Sequence, residues 1–220
     1  MGVASQYGFA SWRSKTLAVV FGLCGSVSAA ETTIVAFGDS LIHGYGLAQG
    51  DGFVPQLQAW LTAQGQDVTV LNAGVSGDTT MGGLSRVAWT LSPDVDAMIV
   101  TLGGNDFLRG LDPAASKANI SGIVETAKSQ GVEVLLTGMQ APGNYGPEYK
   151  AAFDALYGEV ASANDALLAE SYFAGLPSED PAELRALMQA DGIHPNRDGV
   201  ALIVQALGPH VLELIEKAAD

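Results

Sequence analysis

Four short runs of apolar, largely β-branched residues are spaced so that a stretch of helical length separates each from the next. No other feature restricts the fold as much. The runs are Thr32–Phe37, Val68–Leu71, Ala97–Leu102 and Val132–Thr137, and each is followed by Gly or Asn. A strand buried on both faces carries an unbroken apolar run, whereas a strand wetted on one face alternates. Between and after them lie helical stretches at Val54–Gln64, Met81–Leu91, Pro113–Gln130, Pro147–Leu168 and Arg197–Ala218. Alternation of strand and helix implies parallel strands joined by helical crossovers, so an α/β fold around a parallel sheet is predicted. No repeat, low-complexity tract or long linker interrupts the pattern, and residues 31–220 read as one domain.

Ahead of the first strand, Arg13 and Lys15 precede an apolar run, Thr16–Val27, that ends in Ser28, Ala29 and Ala30. Basic residues, a short apolar core and small residues at the end are the parts of a secretory signal. The run is about a dozen residues, where a spanning helix needs roughly 20. Residues 1–30 are therefore expected to be a signal peptide, with the mature chain secreted across the inner membrane to the periplasm or beyond. That mature chain keeps 8 basic residues against 24 acidic ones. Such a charge repels phosphate backbones and anionic headgroups, so neither nucleic acid nor stable membrane insertion is expected. Cys24 is the single cysteine, which excludes an intramolecular disulfide and a cysteine-rich metal site.

In an open parallel sheet, ligands sit beyond the carboxyl ends of the strands, so the residues just after each run carry the functional information. Gly38-Asp39-Ser40 follows the first, Asn72 to Asp78 the second, Gly103-Gly104-Asn105-Asp106 the third and Gln140 to Tyr145 the fourth. Asp191-Gly192-Ile193-His194-Pro195-Asn196 precedes the last helical stretch. Ser40 stands where a hydroxyl is presented at a helix start beside a free N–H, a position that equally suits a cap. A serine nucleophile needs a base, and the chain has three histidines, His43, His194 and His210. His210 falls in the terminal helix. His43, three residues from Ser40, could line the same cleft. His194 follows Asp191 by three positions, a spacing that can place a carboxylate on Nδ1–H and leave Nε2 to take a serine proton. On its own the hexapeptide also reads as an Asx-Gly turn. The Gly77 N–H and the Asn105 amide could face a developing oxyanion, although each is also ordinary turn chemistry.

Taken together, Gly38-Asp39-Ser40-Leu41, Gly77, Gly104-Asn105-Asp106 and Asp191-Gly192-Ile193-His194 resemble, in order, the four blocks of the GDSL or SGNH hydrolases. The resemblance is nearest to the bacterial periplasmic thioesterase I, arylesterase and lysophospholipase L1 group, and spans about Ile34 to Leu214. It implies a three-layer α/β/α sandwich of flavodoxin-like type, with Ser40 as nucleophile, His194 as general base then acid and Asp191 as its orienting partner. The implied oxyanion hole is the Ser40 N–H, the Gly77 N–H and the Asn105 side chain, with no metal and no cofactor. Competing signatures are missing: Gly74-Val75-Ser76-Gly77-Asp78 ends in Asp where a nucleophile elbow needs Gly, and no phosphate loop or zinc motif occurs.

The expected partner is a small-molecule ester or thioester with a small or medium acyl group. Phe107, Leu108, Leu111, Tyr145 and Leu176 supply an apolar lining suited to acyl chains. Asp39, Phe107, Leu108, Tyr145 and Leu176 are expected to contact substrate. Gly50-Asp51-Gly52 lies in a loop longer than the pattern, and Phe107 replaces a smaller residue, so the resemblance does not fix the acyl-chain preference. A carbohydrate O-acetylesterase and a non-catalytic binding module on the same fold are the competing readings.

Overall fold

The computed structural model describes residues 1–4, 31–177 and 180–219. The segment read as a secretory leader, with Cys24, falls almost wholly on residues 5–30, which lie outside the described residues. In chain order, β1 (Thr32–Gly38) leads into the single-turn α1 (Ser40–His43) and α2 (Phe53–Ala63), and β2 (Val68–Gly74) into α3 (Thr80–Thr90). Then β3 (Ala97–Thr101) precedes the short α4 (Gly104–Leu108) and α5 (Pro113–Ser129). After β4 (Glu133–Thr137) come a 3-10 turn at Gly143–Tyr145 and α6 (Pro147–Ala163), and after β5 (Leu167–Ala169) come α7 (Pro181–Ala186) and α8 (Arg197–Ala218).

Among the described residues five strands form one parallel sheet in the order β2-β1-β3-β4-β5. The chain steps one way from β1 to β2 and the other way from β2 through β5. With right-handed crossovers, that reversal puts α2 on one face and α3, α5 and α6 on the other. The helix contacts agree, since α3 packs on α5 and α5 on α6, while α8 packs on α2 and returns across β3, β4 and β5. The result is the expected three-layer α/β/α sandwich. α8 is long and apolar enough to cross a membrane. Here its Val200, Ile203, Val204, Leu207, Val211 and Leu214 form a buried stripe at helical spacing, as in a core helix.

One element differs from the sequence reading. The helix expected to run from Pro147 to Leu168 stops at Ala163, and Leu167–Ala169 is the edge strand β5. The break is local: Asn164 Nδ2 donates to Val160 O at 2.9 Å, and Asp165 takes φ +50°, which a continuing helix cannot follow. The short α4 and α7 were not anticipated either.

Register then positions the site. Gly38 lies opposite Gly74 of β2 and Thr101 of β3, so the carboxyl ends of the three strands are level and their loops emerge side by side. They do so where the strand order reverses, the crevice that such sheets use for ligands.

Candidate active site

The turn after β1 is tight. A Cβ on Gly38 would collide with Thr101 O and the Ile42 side chain. Asp39 turns its carboxylate back as the cap of α1, with Oδ1 accepting from Leu41 N–H at 3.0 Å and Oδ2 from Asn105 Nδ2 at 3.3 Å. Ser40 is therefore the first residue of α1, which ends one turn later at Gly44 with φ +83°. Asp39 is 2% exposed, and burial pushes its carboxyl up to about 6, against the pull of the Leu41 and Asn105 hydrogen bonds.

His194 comes from the loop between α7 and α8. Gly192, at φ +67°, turns that loop so that Asp191 Oδ1 accepts from Ile193 N–H (2.9 Å) and His194 N–H (3.0 Å). Asp191 Oδ2 then meets His194 Nδ1 at 2.7 Å, and His194 Nε2 meets Ser40 Oγ at 2.8 Å. The imidazole, with the two backbone N–H groups, holds the Asp191 carboxyl down at about 2. At neutral pH Asp191 can only accept, so Nδ1 carries the proton and Nε2 of the neutral ring accepts from the Ser40 hydroxyl. The Tyr45 ring flanks the imidazole, with centroids 4.9 Å apart.

The second and third loops bring Gly77 and Asn105 to the same cleft as Ser40. Among the described residues, neither Ser40 N–H nor Gly77 N–H has an acceptor. Asn105 spends one amide hydrogen on Asp39 and keeps the other. Asp106, 1% exposed, ties the two loops together: it accepts from Thr80 N–H (2.9 Å), Thr80 Oγ1 (2.5 Å) and Ser116 Oγ (3.0 Å). Arg86 does similar work beneath them. Its guanidinium pairs with Asp78 at 2.8 Å, donates to Ala73 O and Gly38 O at 2.9 Å each, and covers the Phe37 ring at 3.9 Å.

The cleft holds about 910 Å3 and is lined by Ser40, Gly77, Asn105 and His194 together with Phe107, Leu108 and Leu176. One expected substrate contact, Tyr145, and one residue of the expected apolar lining, Leu111, lie off the cleft. Asp39 reaches the cleft, where each of its oxygens accepts one hydrogen bond, from Leu41 N–H and from Asn105 Nδ2. Tyr145 lies off the lining, its ring against Gly110 and Tyr149 and its hydroxyl 3.5 Å from Leu108 O. The sequence reading missed Met139, Phe173, Met188 and Ile193 on the walls. It also missed Gln189, whose Nε2 donates to Tyr45 O (2.8 Å) and Pro195 O (3.0 Å) and docks the histidine loop. An apolar residue in a loop gives no periodic signal, and a lone glutamine gives none either.

Residues 36–202 match the model of the GDSL-like lipase/acylhydrolase family. The chain belongs to that family. Similarity extends to esterase TesA of Pseudomonas aeruginosa, 41% identical over 168 residues that cover 76% of this chain and 81% of that protein. It extends also to thioesterase 1/protease 1/lysophospholipase L1 of Escherichia coli K12, 34% identical over 86% of this chain and 87% of that protein. Among solved structures, the psychrotrophic esterase EstA of a Pseudoalteromonas species, inhibited by monoethylphosphonate, superposes with a TM-score of 0.77. It is 28% identical, over 84% of this chain and the whole of that one. As a GDSL-like acylhydrolase, this chain is a serine hydrolase of ester bonds.

Proposed function

We propose that the protein hydrolyses carboxylic esters and thioesters of small to medium acyl groups through an acyl-enzyme on Ser40. The observation that carries the reading is the unbroken chain Asp191 Oδ2–His194 Nδ1, His194 Nε2–Ser40 Oγ at 2.7 and 2.8 Å, set at a cleft with apolar walls. Ser40 Oγ attacks the carbonyl carbon as Nε2 takes its proton, and Asp191 steadies the imidazolium that forms. The carbonyl oxygen gains charge against Ser40 N–H, Gly77 N–H and Asn105 Nδ2, donors oriented before substrate arrives. His194 returns the proton to the departing alcohol or thiol. Water then enters with the same base and donors and releases the acid. The names of the relatives, esterase and thioesterase, support both leaving groups. Secretion belongs to this reading too, resting on the basic, apolar and small-residue pattern of residues 13–30.

The test is turnover of p-nitrophenyl esters and acyl thioesters of increasing chain length. Each methylene that the apolar wall buries adds up to about 0.8 kcal/mol, or about fourfold in kcat/KM, until the wall ends. Ser40→Ala should remove turnover and leave the fold unchanged. Activity on acetyl groups alone would favour the sugar deacetylase reading, and labelling of a different serine by a phosphonate would overturn the assignment of Ser40.

A further inference from the structure

Beside the catalytic pair lies a second histidine–serine contact that the mechanism does not use. His43 Nδ1 and Ser76 Oγ share a hydrogen bond of 2.8 Å. Its two ends belong to the two segments that must be held in register for an oxyanion to be bound. His43 is the last residue of α1, three positions from Ser40, so both side chains leave the same face of that single turn. Ser76 directly precedes Gly77, and both line the cleft.

The backbones beneath already touch. Asn72 Nδ2 donates to Ile42 O at 3.0 Å, Val75 N–H donates to Gly38 O at 2.9 Å, and a Cβ on Gly74 would collide with the His43 backbone. Beyond Val75 direct backbone contact with the Gly38–His43 segment ends, and Arg86 continues the support through Asp78 and Gly38 O. Gly77 sits at φ +82° in an exposed turn. Side chains hold it from both flanks, with His43 on Ser76 and Arg109 Nη2 donating to Gly77 O at 2.8 Å.

We propose that His43 is a positioning residue for the oxyanion hole, fixing the Gly77 N–H relative to the Ser40 N–H through Ser76. The proposal rests on the reading of Ser40 as nucleophile and Gly77 as oxyanion donor. A neutral imidazole accepts from the Ser76 hydroxyl or donates to it, so the tie forms in either tautomer. Without it the Gly77 turn samples other orientations, and the donor is in place for only a fraction of encounters.

The experiment compares His43→Ala, Ser76→Ala, the double variant and His43→Gln on one p-nitrophenyl ester at saturating and sub-saturating concentration. A single hydrogen bond of ordinary strength sets the scale, so kcat should fall about 3- to 10-fold in each single variant, with KM within about twofold. The double variant should lose no more than the worse single, because both remove the same tie. His43→Gln, which keeps a hydrogen-bonding group, should recover part of the loss. The rate of phosphonate labelling of Ser40 should fall in step with kcat, since the tetrahedral adduct uses the same donors. His43 and Ser76 are both exposed, so melting temperatures should stay near that of the parent. Unchanged kcat in His43→Ala, losses that multiply in the double variant, or a change in KM alone would overturn the proposal. Ser40→Ala and Asn105→Ala run alongside: if they retain full activity, the reading of the site itself fails, and if only the His43 series is silent, the tie alone does.

Discussion

Asp39 carries a cost that a single substitution can expose. Burial raises its carboxyl from 3.8 to about 6. A carboxyl raised in the folded state binds its proton more tightly there than in the unfolded chain. Its contribution to stability is therefore complete below about pH 4 and is lost as pH rises through 6. At about 1.4 kcal/mol per tenfold, the whole loss is about 3 kcal/mol, of which nearly half, about 1.4 kcal/mol, falls between pH 5 and 8. Asparagine at this position cannot ionise, so Asp39→Asn should gain stability on the parent by about that amount over this interval. Urea unfolding of both proteins at a series of pH values measures the gap. Any fixed difference in packing cancels, because only the change of the gap with pH is read. Activity should move the other way: the new amide sets an NH2 against Asn105 Nδ2, now 3.3 Å from the Asp39 carboxylate, and kcat should fall as stability at neutral pH rises. A gap that varies by less than about 0.5 kcal/mol over that interval, or that narrows as pH rises, would refute the burial cost assigned to Asp39.

Asn105→Ala should lower kcat by roughly 10²- to 10³-fold, the usual cost of one preorganised donor, with a smaller change in KM; a defect in KM alone would move Asn105 to ground-state binding. Asp191→Asn should lower kcat at pH 8 by roughly 10³- to 10⁴-fold, since an amide can hold the imidazole in the wrong tautomer. Because the Asp191 carboxyl is held down at about 2, it stays ionised throughout the range from pH 5 to 9, so the deficit should persist across it. Its contribution to stability, present above the ordinary aspartate range, is lost only as pH falls towards 2. An unchanged rate would remove Asp191 from the mechanism.

What the sequence made legible follows from where its signals are strong. The runs Ile34–Phe37, Ala97–Val100 and Val134–Leu136 are buried on both faces, and their unbroken apolar character announced the parallel sheet. β5 has no such mark. Leu167-Leu168-Ala169 has no β-branched residue and is helix-forming in composition, and it pairs only along β4 at the sheet edge, so its strand state is imposed by the sheet rather than by its residues. In the site, three of the four polar blocks follow strands and the fourth precedes α8, and they could be read as a set. The roles of Asp39 and Tyr145 could not, because which way a side chain turns depends on partners distant in sequence, Asn105 for the one and Gly110 with Tyr149 for the other. Arg86 binds the Ala73 and Gly38 carbonyls at the ends of β2 and β1 and Gln189 the Tyr45 carbonyl, and such bonds leave no spacing rule behind.

The nucleophile and its base reach each other from different parts of the fold, and the join between them is narrow. Ser40 stands on a turn rooted in β1, an interior strand of the sheet, whereas His194 stands on a loop that bridges α7 and α8 at the surface. That loop has its own framework. Asn196 caps α8 through Asp198 N–H and Gly199 N–H, and its amide donates to Ala186 O at 2.7 Å, while Gln189 N–H donates to His194 O at 2.7 Å. Docking onto the Ser40 side runs through Gln189 to Tyr45 O and through the Tyr45 ring to the imidazole. Gly46, at φ +74°, sits against this docking, and a Cβ there would displace Gln189 Oε1. A glycine outside every recognisable block is thus tied to the 2.8 Å contact between Ser40 and His194, because a side chain at Gly46 would be strained at that φ and would disturb the glutamine that joins the base's loop to Tyr45.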